Sequence, residues 1–260
     1  MRGYFSLIRS GLGLFLLAVW SPMAKATDTD NDGIEDEIEI QQGYDPQVPT
    51  RIIYVDAAKS DDSGDGLSET TAKKNIKAGV NAAKAAGYEN VVLVKAGTYS
   101  GSDNAESDFG AFNIKLKSIS GPDTTIVVLP QNAWFLNLNQ SQNATSSWCD
   151  GFTITNNNTG NVSGIIRINN AGITIRNVKF KDIAYYGNGG AVYGYSGATL
   201  NIIGTEFINI QPATGVIVNQ CQGSAIYLDG GLLTVANALF AYNYSGSGGV
   251  LFLGGSATTD

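Results

Sequence analysis

The chain has 260 residues, a formal net charge of −7 and no histidine. That acidic balance, with no basic cluster, argues against nucleic acid and anionic lipid as partners, and the missing imidazole removes the commonest general base and metal ligand. Its two cysteines, Cys149 and Cys221, are too few to staple a disulfide scaffold, so a hydrophobic core must hold the fold.

At the N-terminus, Arg2 and Arg9 precede an apolar run from Leu12 to Trp20, then Pro22 and the small-x-small triplet Ala24-Lys25-Ala26. This is the pattern of a Sec-type signal peptide over residues 1–26, cleaved before Thr27. The run is too short to span a bilayer comfortably, and no later stretch is apolar for long enough to be a membrane helix. The expected location is therefore extracellular, or the bacterial cell surface or outer membrane, with no transmembrane helix in the mature chain.

Residues 27–50 form an acidic loop and linker. Asp28, Asp30 and Asp32 fall at positions 1, 3 and 5 of a twelve-residue loop, with Gly33 at 6, the Ile34 carbonyl at 7, Asp36 at 9 and Glu39 at 12. A hard cation takes six to eight oxygens, and alternate short carboxylates, a carbonyl, a glycine turn and a closing bidentate glutamate supply them, so Ca²⁺ is the expected cofactor. The bland alternative is a solvated acidic linker. The segment, with its trailing Gly43-Tyr44-Asp45-Pro46, resembles the thrombospondin type 3 and EF-hand-like calcium motifs of bacterial surface proteins, although it occurs once and no helix leads into it.

Residues 51–260 read as one domain: a cap over about 51–100 and coils over about 101–260. In the cap, residues 51–56 and 91–99 read as strands. Between them, residues 70–87 read as an amphipathic helix with Ile76, Val80 and Ala83 on one face. The coils carry an internal repeat. Aligning WCDGFTIT, TIRNVKFK, NIIGTEFI and TVANALFA superposes Ile154, Phe180, Phe207 and Phe240 in one apolar column. Cys149, Ile175, Ile202 and Val235 form a second. Gly151, Asn177, Gly204 and Asn237 form a corner column that calls for left-handed backbone. A second strand follows each copy, at 164–168, 190–194, 224–228 and 249–253, with an insertion over 211–222. Stacked coils would pair each strand with its copy in the next and bury one face in a shared core, which is the logic of an all-β, right-handed parallel β-helix with an N-terminal capping helix. The chain stops directly after an apolar strand, so a continuation beyond Asp260 is expected.

The cap sequence from Tyr54 to Tyr99 resembles the N-terminal cap of secreted bacterial right-handed β-helix proteins. Gly-Gly-Ala-Val at 189–192 and Phe-x-x-Asn at 240–243 are similar to the repeats of polymorphic outer-membrane proteins, although Phe180 and Phe207 are followed at that third position by Ile183 and Ile210. The resemblance implies a fold and a surface location, and no particular reaction.

Chemistry is sparse. Beyond Leu129 the acids are Asp150, Asp182, Glu206, Asp229 and Asp260, and the register places Asp150 beside Arg176 as an ion pair. No second carboxylate joins them for glycosidic chemistry. Cys149 sits in an aliphatic column as a small hydrophobe, and Cys221 belongs to another column, which speaks against a disulfide.

Alternation in the second strand points Arg167, Tyr193, Tyr227 and Phe252 outward, with Tyr195 and Asp229 two residues further along. Such a ladder offers a flat platform for sugar rings. The alternative is a covered ladder that only stabilises the sheet. The expected function is thus an adhesin-like or polysaccharide-binding surface protein whose partner is an extracellular polysaccharide or surface glycan. A carbohydrate-active enzyme, of lyase or hydrolase type, and a structural stalk are the rivals. Oligomeric state is not legible.

Overall fold

The computed structural model describes residues 8–10, 13–15, 27–140, 142–156, 163–215, 217 and 221–259. They divide into two compact units, residues 1–47 and 48–260. The expected leader lies outside the described residues apart from Ile8–Ser10 and Gly13–Phe15, which pair antiparallel. Later in the same unit a helix, Asp36–Gln42, ends at Gly43 in left-handed geometry, where the Tyr44 N–H donates to the Glu39 carbonyl at 2.7 Å. That is how a helix satisfies its last carbonyls.

The described residues of the larger unit are mostly parallel β-sheet, eleven strands in one sheet and six in another. Registers show how the columns are made. In the larger sheet Ile53, Val92, Leu116, Cys149, Ile175, Ile202 and Val235 follow one another from strand to strand. In the smaller sheet the succession is Tyr99, Val127, Ile154, Phe180, Phe207 and Phe240. Both repeat columns therefore pair as the sequence alignment expects, and both extend further towards the N-terminus. Val192–Ile203 and Ile226–Ala236 are long, curled strands with a register shift at the bend, so the larger sheet folds back on itself. The arrangement is compatible with a β-helix or other solenoid-like fold.

Corner residues Gly151, Asn177, Gly204 and Asn237 have φ of 83°, 50°, 57° and 54°. Asn tolerates that region through its short polar side chain. The N–H groups of Gly151, Asn177 and Gly204 donate to Arg176, Ile203 and Ala236 on the neighbouring strand, at 2.9–3.2 Å, so pairing continues through the corner.

The helix is shorter than its pattern predicts, Ile76–Ala83 rather than 70–87. Lys73 instead bridges to Val55, and the Lys74 and Asn75 N–H groups donate to the Asp62 carboxylate at 2.7 and 2.9 Å, which commits them before a helical turn can use them. Its buried face is Ile76, Gly79, Val80 and Ala83, and it packs on Thr50–Val55 and Glu89–Val94. No helix among the described residues is long and apolar enough to cross a membrane.

Candidate functional site

In the acidic loop, carboxylate oxygens of Asp28, Asp30 and Asp32 lie within 4.8 Å of one another. Backbone N–H groups tie the loop to them: Gly33 donates to Asp28 Oδ2 at 3.2 Å, Asp32 to Asp30 Oδ1 at 3.2 Å, and Ile34 to Asp32 Oδ1 at 2.7 Å. The other oxygens of the first two, Asp28 Oδ1 and Asp30 Oδ2, are buried without a hydrogen-bond partner. Burial first, then the Asp32, Asp28 and Asp36 charges, push the Asp30 carboxyl above its ordinary range despite the Asp32 N–H bond. Two inward oxygens desolvated beside like charges are costly unless a cation answers them, so this donor set fits Ca²⁺. Glu39 is fully buried. Asp36 is engaged otherwise: Oδ1 and Oδ2 accept the Thr29 N–H at 2.8 Å and the Thr29 hydroxyl at 2.7 Å.

On the larger sheet, Arg167, Tyr193, Tyr227 and Phe252 are in direct register on successive strands. The inward neighbours Ile166, Ile168, Val192, Ile226 and Leu228 are fully buried, while the four outward residues are half-buried. Their placement begins in the glycines ahead of each strand. Gly164, Gly189 and Gly223 have φ of 68°, 64° and 59°. A Cβ on each would stand 2.5, 3.0 and 3.0 Å from the Cβ of Tyr193, Tyr227 and Phe252 on the next turn. Only glycine lets those rings seat so close to the preceding backbone.

The rings do not form the expected flat platform. Tyr193 and Tyr227 stack at 5.3 Å between centroids and 27° between planes, and Tyr227 and Phe252 at 4.8 Å and 3°. Strand spacing matches aromatic stacking distance, so neighbouring rings turn their faces to one another. What the middle of the ladder presents is ring edges and hydroxyls. Tyr195 tilts against Tyr193 at 5.3 Å and 40°, and its register partner Asp229 is exposed. Burial first, and the Asp229 charge in support, raise the pKa of both Tyr193 and Tyr227, which keeps them protonated donors at neutral pH.

Towards the N-terminus the same outward column continues through Asn137 and Asp108, which the repeat alignment did not reach. Asn137 Nδ2 donates to Asp108 Oδ2 at 3.1 Å. The Arg167 guanidinium lies 4.4 Å over the Trp134 ring, and its Nε donates to the Ser163 carbonyl at 2.9 Å. Part of the 211–222 insertion, residues 216 and 218–220, lies outside the described residues.

Asp150 and Arg176 pair at 2.8 Å, with the guanidinium 3.8 Å over Trp148. Lys115 approaches the same ring at 4.2 Å and pairs with Glu89. Both cysteines are buried and free, and burial pushes the Cys149 thiol far up.

No family model and no curated protein matches the chain. Among solved structures it is similar to ORF18 of Geobacillus virus E2, at 14% identity and a TM-score of 0.36 over 90% of this chain and 48% of that one. The chain thus spans about half the length of that structure.

Proposed function

We propose that residues 51–260 form a right-handed parallel β-helix capped by the helix at Ile76–Ala83. On this reading the protein is exported by its leader and acts outside the cell or at the bacterial surface as an adhesin-like, polysaccharide-binding module. The observation that carries the binding role is the in-register outward column Arg167, Tyr193, Tyr227 and Phe252, flanked by Tyr195 and Asp229. Hydroxyl edges, an acid and a guanidinium in one strip suit a hydroxyl-rich ligand lying across the strands, held chiefly by hydrogen bonds along the edges. Ca²⁺ would be held by Asp28, Asp30, Asp32, the Ile34 carbonyl and Glu39, with Asp36 supporting the loop through Thr29. There the ion would supply charge and order to the loop.

A glycan array tests the assignment, followed by Tyr193→Ala and Tyr227→Ala. Either substitution should weaken binding, because it removes an edge and unseats its stacked neighbour. Binding unchanged in both would remove the ladder from the function. Unsaturated or hydrolysed oligosaccharide released from a bound polymer would establish cleavage instead.

A further inference from the structure

Among the described residues are two arginine–tryptophan stacks that differ in one respect. Arg176 lies 3.8 Å over Trp148 and is neutralised by Asp150 at 2.8 Å. Arg167 lies 4.4 Å over Trp134, and no carboxylate among the described residues comes within ion-pair distance. The segment 157–162 that precedes Ser163 is Asn-Asn-Thr-Gly-Asn-Val and brings no acid. Glu106 is near enough for its charge to be felt at Arg167 but forms no ion pair with it. Desolvation, the largest influence, lowers the pKa of this half-buried guanidinium. A cation taken partly out of water without a counter-charge is unfavourable on its own account.

The geometry of the group shows what would answer it. The Nε is occupied by the Ser163 carbonyl and one ring face of Trp134 is covered, which fixes the guanidinium plane. That leaves its two terminal nitrogens as the directed donors, the fork that receives a planar carboxylate through two parallel hydrogen bonds. The next residue in register is Tyr193, so an anion held there would sit at one end of the hydroxyl-edged ladder.

We infer that Arg167 is the recognition point for a carboxylate on the ligand, which makes the ligand an acidic saccharide of the uronic-acid class. This rests on the ladder being the glycan site. Arg167 sets selectivity at one end of it, and the tyrosine edges hold the remainder.

The test is titration of the protein with tetragalacturonate, its fully methyl-esterified form and a sulfated disaccharide. Wild type should bind the acid at least about tenfold more tightly than the ester, with the preference shrinking as salt rises. Arg167→Gln should abolish that preference, weakening acid binding far more than ester binding. Arg167→Lys, which keeps the charge but not the fork, should lose most of it. Arg176→Gln should leave it intact. Tyr227→Ala should weaken both forms alike, and an unchanged chemical-denaturation midpoint in Arg167→Gln shows that the variant is folded. Equal affinity for acid and ester in wild type, with both lost in Tyr227→Ala, overturns the inference and spares the ladder. Tighter binding of the sulfated sugar than of the uronate overturns the choice of carboxylate. Failure of all three probes to bind, while another glycan on the array binds through Tyr193 and Tyr227, overturns this inference alone; failure of the array as well removes the ladder reading with it.

Discussion

At the scale of single residues the acidic loop is the most exacting feature, because its side chains have two tasks at once. One oxygen of each of Asp28 and Asp30 holds the backbone turn and the other is desolvated. The sign of the pH dependence follows. With the folded pKa of Asp30 raised above its unfolded value, the calcium-free folded loop holds that proton more tightly than the unfolded chain, so acidification through this window favours the folded loop. On the proposed calcium reading the ion must displace the same proton, so its affinity should fall as pH drops through that window. Calorimetric titration at about pH 7 and about pH 5 should show saturable binding that weakens on acidification. Asp28→Ala and Glu39→Ala should each abolish it. A heat independent of pH and of both substitutions would reduce the segment to a linker. Tyr242 marks where residue-level reading fails. It occupies left-handed backbone at φ 56° and is 84% exposed, a position its β-loving side chain gives no reason to expect.

At the scale of elements, stability concentrates in the aromatic column of the smaller sheet. Phe180 and Phe207 stack at 5.2 Å, and Phe207 and Phe240 at 4.9 Å. Phe207 is fully buried between two rings, whereas Phe240 is only half-buried. Phe207→Ala should therefore cost about 3–5 kcal/mol, and Phe240→Ala clearly less, measured by chemical denaturation. Equal losses would mean that the two positions share one environment. Asn243 lies just beyond the strand Leu239–Ala241 that carries Phe240. Its side chain accepts from the Ile210 N–H at 3.0 Å and donates to the Phe207 carbonyl at 2.8 Å. The asparagine of the Phe-x-x-Asn motif thus satisfies backbone groups of the neighbouring strand, a role invisible in the repeat because Ile183 and Ile210 fill the equivalent positions.

At the scale of the whole chain, what was legible followed from periodicity. Alternation fixes which way Arg167, Tyr193, Tyr227 and Phe252 face, and the constant offset from Ile154, Phe180, Phe207 and Phe240 fixes that Cys149, Ile175, Ile202 and Val235 pair. The earlier strands fall outside the repeat alignment because the path from Leu116 to Val127 runs through a longer turn containing Gly121 and Pro122 than the path from Cys149 to Ile154. Asn137 and Asp108 sit on strands of three and two residues, too short to display alternation. Mutual stacking of the rings escaped the sequence for another reason. Composition says that aromatics recur on neighbouring strands, but only the strand spacing and the glycine under each ring decide whether faces or edges meet the solvent. The last strand, Leu251–Thr259, leaves Leu251 and Leu253 at 38% and 39% exposed, in columns where Ile226 and Leu228 are at 0%.

The two arginine–tryptophan stacks also give the protein a built-in optical reporter. On the proposed export reading Trp20 leaves with the leader, and the other tryptophans of the sequence are Trp134 and Trp148, each beneath a guanidinium. Indole emission responds to nearby charge. The field at Trp148 is already balanced by the Asp150 carboxylate, whereas that at Trp134 would change when an anion reaches Arg167. Adding a uronate should therefore shift the fluorescence of wild type and of Trp148→Phe, and leave that of Trp134→Phe unmoved. A shift that survives in Trp134→Phe would locate the ligand elsewhere.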